Sequence, residues 1–441
     1  MYAVIEVVKD NLEGAQAVQK RLYDCRVDEK QFSPGDPRKT NHEATRLNKT
    51  ESQQDSSEEL YTQFLSGCGC FYSSKHGASE DPLSLEQTSD PGHSTFTILP
   101  GEGEWHVGDQ LKVLIKIKDL QGHAKTFGGD VLVAWLHSRT LSAGVAGKVE
   151  DHLNGSYSAV YPLLWEGSAQ VEVKLIMVFL PEVMLKAHLQ SQATVIGGTG
   201  KSEHSGYYYQ GVWRALGGSR VQQFNTSSAI SQCLKGKMVH LYGDSTIRQW
   251  FEFLDVSLPD AQHFDLKGSK QAGPHMILDH ENHFMITYRC HGPPLRFTSI
   301  PISQLRYIAN ELDGLKGGSD TVVVIGIWAH FSTFPIEVYL RRLQSIRRAV
   351  VHLLNRAPGT LVIIRTSNLK ALTLYETLTN SDWFTIQRDK VLRAIFKGVN
   401  VKLVDAWEMV LAHHLPHSLH PQPPIIKNMI DVLLSYACPK K

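Results

Sequence analysis

Val239-His240-Leu241-Tyr242-Gly243-Asp244-Ser245-Thr246-Ile247-Arg248-Gln249-Trp250 carries the change from strand to helix around which the second half of the chain is organised. A short apolar run ends in Gly-Asp-Ser, and a helical spacing begins at once, with Ile247, Trp250, Phe251 and Leu254 on one face. The stretch reads as strand, sharp turn, helix. In an open α/β sheet, ligands bind outside the carboxyl ends of the strands. Ser245 would stand there, at a helix N-terminus whose free backbone N–H groups can receive an oxyanion. It is placed as a nucleophile would be. The plainer reading makes Asp244 or Ser245 a helix N-cap, a job both residue types do well.

Outward from this stretch, strands and helices alternate. Thr321–Ile327 is an almost unbroken β-branched run, as buried parallel strands are. Ile336–Leu354 is a long helix with Ile336, Leu340, Leu343, Ile346, Val350 and Leu354 on one face and four arginines on the solvated side. Leu361–Arg365 and Val401–Val404 are further parallel strands, and Ile425–Tyr436 is a closing helix. Residues 206–441 therefore read as an α/β domain, a parallel sheet flanked by helices.

Upstream the pattern differs. Leu111, Val113, Ile115 and Ile117 alternate with lysines, Asp130–Leu136 and Val171–Met177 are strand candidates, and Val149–Tyr161 reads as a hairpin around Asn154-Gly155. Short strands without a helical window predict an immunoglobulin-like β-sandwich over 93–180. It is of filamin type, because no cysteine lies between Cys70 and Cys233. Residues 181–205, rich in Gly, Ser and Thr, read as a linker that leaves the two domains separable. Residues 1–92, poor in large apolar side chains beyond a short periodic stretch at the start, read as a mostly disordered N-terminal segment.

Composition narrows the function classes. The 441 residues carry 45 Lys+Arg against 44 Asp+Glu, a balance that leaves no nucleic-acid footprint. No window is a membrane span, and Glu6, Lys9, Asp10 and Glu13 keep the first residues from reading as a signal peptide. Six cysteines permit disulfides; three of them, Cys233, Cys290 and Cys438, fall in the α/β domain, so at least one is free or pairs outside it. Asn48, Asn154 and Asn225 head glycosylation sequons.

A serine nucleophile needs a base and a group that orients it. Asp405 ends the last strand, at the same sheet edge as Ser245, and His420 follows in a loop before the closing helix. Ser245, Asp405 and His420 can build a triad. Asp405 otherwise caps the helix from Trp407, and His420 is otherwise one of four surface histidines. Among His413, His414, His417 and His420 the choice falls on His420, whose backbone is fixed by Pro421 and the helix that follows. A metal site made of these four histidines lacks a cysteine or carboxylate to complete it, so no metal ligand is assigned.

Gly243–Trp250 resembles the opening signature of the PC-esterase domain in the neurexophilin and PC-esterase domain (NXPE) family, part of the GDSL/SGNH hydrolase superfamily. Tyr288–Leu295, Ala329-His330-Phe331 with Phe334-Pro335, and Asn428–Cys438 are also similar. In the sandwich, Gly128-Gly129-Asp130, Asn154–Tyr157 and Leu164–Gly167 resemble that family's immunoglobulin-like module. The resemblance implies an SGNH fold and acyl-ester chemistry, O-acetyltransferase or O-acylesterase, on carbohydrate hydroxyls. The substrate would be a glycan or glycoprotein in the secretory pathway or outside the cell. It implies Ser245 as nucleophile, Asp405 as orienting acid and His420 as base. Arg289, Gly292 and the segment from Gly326 to His330 would border the oxyanion pocket beside the Ser245 N–H. No bound cofactor is expected, with an acetyl donor such as acetyl-CoA as co-substrate. Most such hydrolases place Asp and His three apart, whereas Glu408 stands three after Asp405. The alternative is a secreted neurexophilin-like adhesion module whose esterase half is inactive.

Overall fold

The computed structural model describes residues 87–101, 103–177, 204–216, 220–295, 306–371 and 380–439. The segment up to residue 86, almost all of the 181–205 linker, Cys25, Cys68, Cys70 and Asn48 lie outside them.

The first half is built of strands β1 (Ser89–Ile98), β2 (Gln110–Asp119), β3 (Val131–Ser138), β4 (Ala143–Asp151), β5 (Ser156–Pro162) and β6 (Gln170–Met177). All pairings among them are antiparallel. β4 serves two sheets: residues 143–147 pair with β3, and residues 148–151 pair with β5. The alternation along β2 then has a clear cause. Leu111, Val113, Ile115 and Ile117 face a core shared with Leu132, Ala134 and Leu136 of β3 and Tyr157, Ala159 and Tyr161 of β5. The turn at Asn154-Gly155 forms as expected, with Gly155 at φ +80° and the Asn154 carboxamide accepting from the Ser156 N–H.

Two boundaries move. β1 begins at Ser89, inside the stretch read as unstructured. The hairpin β7 (Gly206–Tyr209) and β8 (Val212–Ala215), assigned from sequence to the second domain, joins the first through β4. It joins the second as well, since the Trp213 N–H donates to Asn428 Oδ1 at 2.7 Å. One apolar cluster, holding Trp135, Ala146, Tyr208 and Trp213 together with Met409, Leu411 and Ile425, runs across the boundary. The two halves share core, so the expectation of separable domains does not match this packing.

The second half contains helix α1 (Ser227–Leu234), strand β9 (Met238–Gly243), helix α2 (Ser245–Ser257), strands β10 (Gln262–Ser269), β11 (Gly273–Asp279) and β12 (Phe284–Cys290), then helix α3 (Ile308–Gly314). Strand β13 (Thr321–Gly326), helix α4 (Ile336–Arg356), strand β14 (Leu361–Arg365), helix α5 (Asp382–Phe396), strand β15 (Lys402–Val404) and helices α6 (Ala406–Leu411) and α7 (Pro423–Ala437) follow. The sheet order is β10-β11-β12-β9-β13-β14-β15. β12 through β15 are parallel, and β10–β11–β12 form an antiparallel extension that the sequence reading did not contain. The β-branched run of β13 is buried at every position because both sheet faces are covered. Val322 and Val324 face a core with α2 and α7, whereas Val323 and Ile325 face α3, α4 and α5.

A disulfide joins Cys233 at the end of α1 to Cys438 after α7, and Cys290 is a buried free thiol. No helix among the described residues is long and apolar enough to cross a membrane.

Candidate functional site

β9 and β13 end side by side, with Gly243 opposite Gly326. α2 leaves the sheet so tightly that a Cβ at Gly243 would run into the Gly326 carbonyl, and one at Gly326 would come within 2.6 Å of Ile247. Asp244 fixes this turn. Fully buried, it caps α2 through Oδ1, which accepts from the Thr246 N–H at 2.9 Å and the Thr246 hydroxyl at 2.7 Å. Oδ2 accepts from the N–H groups of Trp328 at 3.2 Å and Ala329 at 3.0 Å, just past β13. Burial opposes its charge, but His330, His291 and these donors hold the Asp244 carboxyl below its ordinary value. The cap reading therefore belongs to Asp244, which leaves Ser245 free for other work. Thr246, Ile247 and Arg248 give their N–H groups to Asp244, whereas the Ser245 N–H, first in the helix, has no partner within it.

His420 meets Ser245. The imidazole Nε2 lies 2.8 Å from the Ser245 hydroxyl oxygen, within proton-transfer reach. The ring is open to solvent on one side, and burial of the other side pushes its pKa below the ordinary histidine value. The imidazole is thus neutral at neutral pH and able to accept a proton.

Asp405 does not stand where the triad needs it. Its Oδ1 and Oδ2 accept from Nη2 and Nη1 of Arg393, at 2.8 and 2.9 Å, and Oδ1 also caps α6 through the Glu408 N–H. Burial works against the Arg393 charge, but Asp405 and Asp389 hold it above its ordinary pKa. The cause lies in the strand order. β14 separates β15 from β13, so Asp405 stands three strand spacings from β9, roughly 14 Å at about 4.8 Å each. Among the described residues no carboxylate hydrogen-bonds to His420.

The pocket residues expected beside Ser245 are partly committed elsewhere. Arg289 pairs with Glu311 of α3 at 3.5 Å. Gly326 is a close-packing position beneath Ile247. Trp328 and Ala329 give their N–H groups to Asp244, so that segment does not offer them to an oxyanion. Gly292 has φ +76°, and a Cβ there would lie 2.9 Å from the Arg306 carbonyl. His330 Nδ1 is 3.0 Å from Nε2 of His291. His291 is fully buried, and burial pushes its pKa down to about 3.

Sequence reasoning missed the residues that hold the base. His420 ends the loop after α6, and that loop is pinned at its backbone. Asn368, fully buried after β14, donates through Nδ2 to the Ser418 carbonyl at 3.0 Å and reaches that of Leu419 at 3.4 Å. Gln249 of α2 donates to the Pro421 carbonyl at 2.7 Å. The only sequence signal was that Gln249 follows Ser245 by four, on the same helix face.

The other histidines of the loop face the first half. His417 packs on Trp135 of β3, with ring centroids 4.9 Å apart, and His413 packs edge-on to Tyr208 of β7 at 4.6 Å. Burial, with Lys174 beside His417 and His414 beside His413, pushes their pKa values down to about 3 and about 4. Both are neutral when folded and bind protons more readily when unfolded. Their contribution is therefore complete above the unfolded value near 6.5 and is lost as pH falls from there to about 4 for His413 and about 3 for His417. The melting temperature should drop between pH 6.5 and 4.5, by roughly 2–3 kcal/mol of stability per histidine at the lower pH. His417→Phe should flatten that slope. A melting temperature constant over this range would show that the two rings titrate freely in the folded chain.

The fold and site together define an α/β protein with a Ser–His pair at the carboxyl edge of its sheet, carried beside a two-sheet β-structure. The chain belongs to the NXPE family: residues 213–438 match the family model for the NXPE family member 4-like, C-terminal domain, and residues 74–206 match that for neurexophilin. Among solved structures, the chain is similar to a family two carbohydrate esterase from Clostridium thermocellum, at 8% identity and a TM-score of 0.24, over 75% of this chain and 90% of that one. A carbohydrate esterase family 2 enzyme with a carbohydrate-binding domain from Corynascus thermopiles (Myceliophthora fergusii) aligns at 9% identity and a TM-score of 0.27, over 78% and 99%. The acetyl xylan esterase Est2A from Butyrivibrio proteoclasticus aligns at 9% and 0.23, over 77% and 94%. Scores this low reflect slight shared geometry.

Proposed function

We propose that this protein carries out acyl-ester chemistry on carbohydrate hydroxyls, with Ser245 as nucleophile and His420 as base. The observation that carries the reading is the 2.8 Å contact between His420 Nε2 and the Ser245 hydroxyl, at the end of β9 and the start of α2. His420 takes the hydroxyl proton as Ser245 Oγ attacks the acyl carbonyl carbon. The Ser245 N–H donates to the developing oxyanion. Collapse breaks the bond to the leaving group, which receives the proton from the imidazolium and leaves an acyl-serine. Water or a sugar hydroxyl then attacks the acyl carbon and gives its proton to His420; the bond to Ser245 Oγ breaks, Oγ takes that proton back from the imidazolium, and the acyl group leaves as the free acid or as a new ester. The donor is an acetyl ester, or a thioester such as acetyl-CoA acting as a co-substrate, and the acceptor is a glycan or glycoprotein.

On this reading the second half is an SGNH-type hydrolase fold, and the first half is a filamin-type immunoglobulin-like sandwich. The setting is the secretory pathway or the cell exterior. The Cys233–Cys438 disulfide suits an oxidising compartment, and the sequon residues Asn154 and Asn225 are exposed.

One observation favours the second reading, a secreted adhesion module with an inactive esterase half: Asp405 is taken up by Arg393, and among the described residues no carboxylate hydrogen-bonds to His420. Release of acetate from a p-nitrophenyl ester, with and without an acetylable oligosaccharide, separates the two. Ester turnover is expected. An increase in acetylated oligosaccharide at the expense of free acetate would identify transfer. No turnover with any acetyl donor would leave the adhesion reading in place.

A further inference from the structure

Among the described residues no carboxylate hydrogen-bonds to His420, yet the loop that delivers it arrives at Ser245 in hydrogen-bonding register. Two side-chain amides bracket the histidine. On the N-terminal side, Asn368 Nδ2 holds the carbonyls of Ser418 and Leu419. On the C-terminal side, Gln249 Nε2 holds the carbonyl of Pro421. Asn368 is itself locked, because its Oδ1 accepts from Arg365 Nη2 at 2.7 Å, and Arg365 is fully buried with a second bond to the Thr366 carbonyl. Gln249 lies one turn from Ser245 on α2, so the helix that presents the nucleophile also holds the residue after the base.

We propose that Gln249 and Asn368 are the positioning residues of this site, clamping the backbone on either side of His420 in place of an orienting carboxylate. The inference rests on the reading of Ser245 and His420 as nucleophile and base. A carboxylate would fix the imidazole through its second nitrogen; the clamp fixes it through its own chain. An amide can do this because it donates to a carbonyl without carrying a charge into a half-buried site. Arg365 supplies the rigidity: its bond orients Asn368 so that Nδ2, and not Oδ1, faces the loop. Both clamps meet main-chain carbonyls, so they constrain where the loop runs whatever side chains Ser418 and Leu419 carry.

Loosening either clamp should lower kcat while leaving substrate binding alone, because misplacing the base by about 1 Å can cost on the order of 100-fold. Gln249→Met keeps the length of the side chain and its neutrality but removes the donor. Asn368→Asp keeps the oxygen on Arg365 and removes the donor facing the loop. With p-nitrophenyl acetate as the probe, and at a temperature where each variant is folded, each should lose about 10- to 100-fold in kcat with KM within about twofold. In Gln249→Met the acidic limb of the kcat profile should also move up toward the ordinary histidine range, as a loosened ring gains solvent. A purely structural amide would not move that limb. If both folded variants keep the parental kcat and limb while Ser245→Ala abolishes turnover, the clamp is wrong and the nucleophile stands. If Ser245→Ala turns over as the parent does, the nucleophile reading is overturned and the clamp with it.

Discussion

Ser245→Ala is expected to abolish ester turnover and leave folding untouched. The hydroxyl contributes one hydrogen bond, to His420, at a half-buried position, while the cap that holds α2 is made by Asp244. Loss of the hydroxyl therefore removes the bond-forming atom and almost no packing. Nucleophile deletions leave only the part of catalysis that binding and the oxyanion donors supply, so kcat should fall by about 10⁴-fold or more. His420→Ala should fall by a comparable factor, and the double variant should lose little beyond either single one, because nucleophile and base act as a unit. Melting temperatures should stay close to that of the parent in all three. The same reasoning fixes the pH dependence. Turnover needs neutral His420, whose pKa is pushed down by burial. The rate should then be at its plateau near neutrality and decline only as pH falls below the ordinary histidine value of about 6.5. Steady kinetics across pH 4.5–8 would check this.

Asp405→Asn should do the reverse: harm stability and spare the chemistry. Asp405 accepts from both Nη nitrogens of Arg393 and caps α6, and Arg393 Nε donates to Asp389, which in turn accepts from the Ser367 N–H and hydroxyl. Breaking one partner of a fully buried charge pair costs about 3–5 kcal/mol. Here the Arg393 side chain is 35% exposed, so about 2 kcal/mol is the better expectation. Were Asp405 the acid of a triad, the same change would cost about 10⁴ in kcat with the fold intact. Turnover within severalfold of the parent, at a temperature where the variant is folded, together with a lower urea midpoint, is the expected pairing. A folded, fully stable variant with turnover reduced 10⁴-fold would restore the triad.

How much of this was legible in the sequence depends on what local pattern can carry. The strand–turn–helix at Ser245, the parallel strands β13, β14 and β15, the long helix α4 and the hairpin at Gly155 all have a periodicity or a turn signal of their own, and each is found where expected. Pro421, the following helix and the family resemblance together point to His420 over the three nearby histidines, and the chain brings it to Ser245. Asp405 stands apart from Ser245 for a reason that no local pattern contains: standing at the carboxyl end of a strand fixes the edge of the sheet but not the distance along it, and β15 is three strands from β9, at one end of the sheet among the described residues. The hairpin β7–β8 was missed because its two strands are four residues each and look toward both halves at once. Asn368 and Gln249 carry no signature, since an amide that grips a carbonyl can sit anywhere the fold brings the two together.

Active-site labelling with a fluorophosphonate, followed by mass mapping of the modified peptide, tests Ser245 as the nucleophile most directly. One modification is expected, on Ser245, formed rapidly by the parent, slowly by His420→Ala and not at all by Ser245→Ala. A label on another residue, or a parent that stays unmodified while it cleaves acetyl esters, would contradict it.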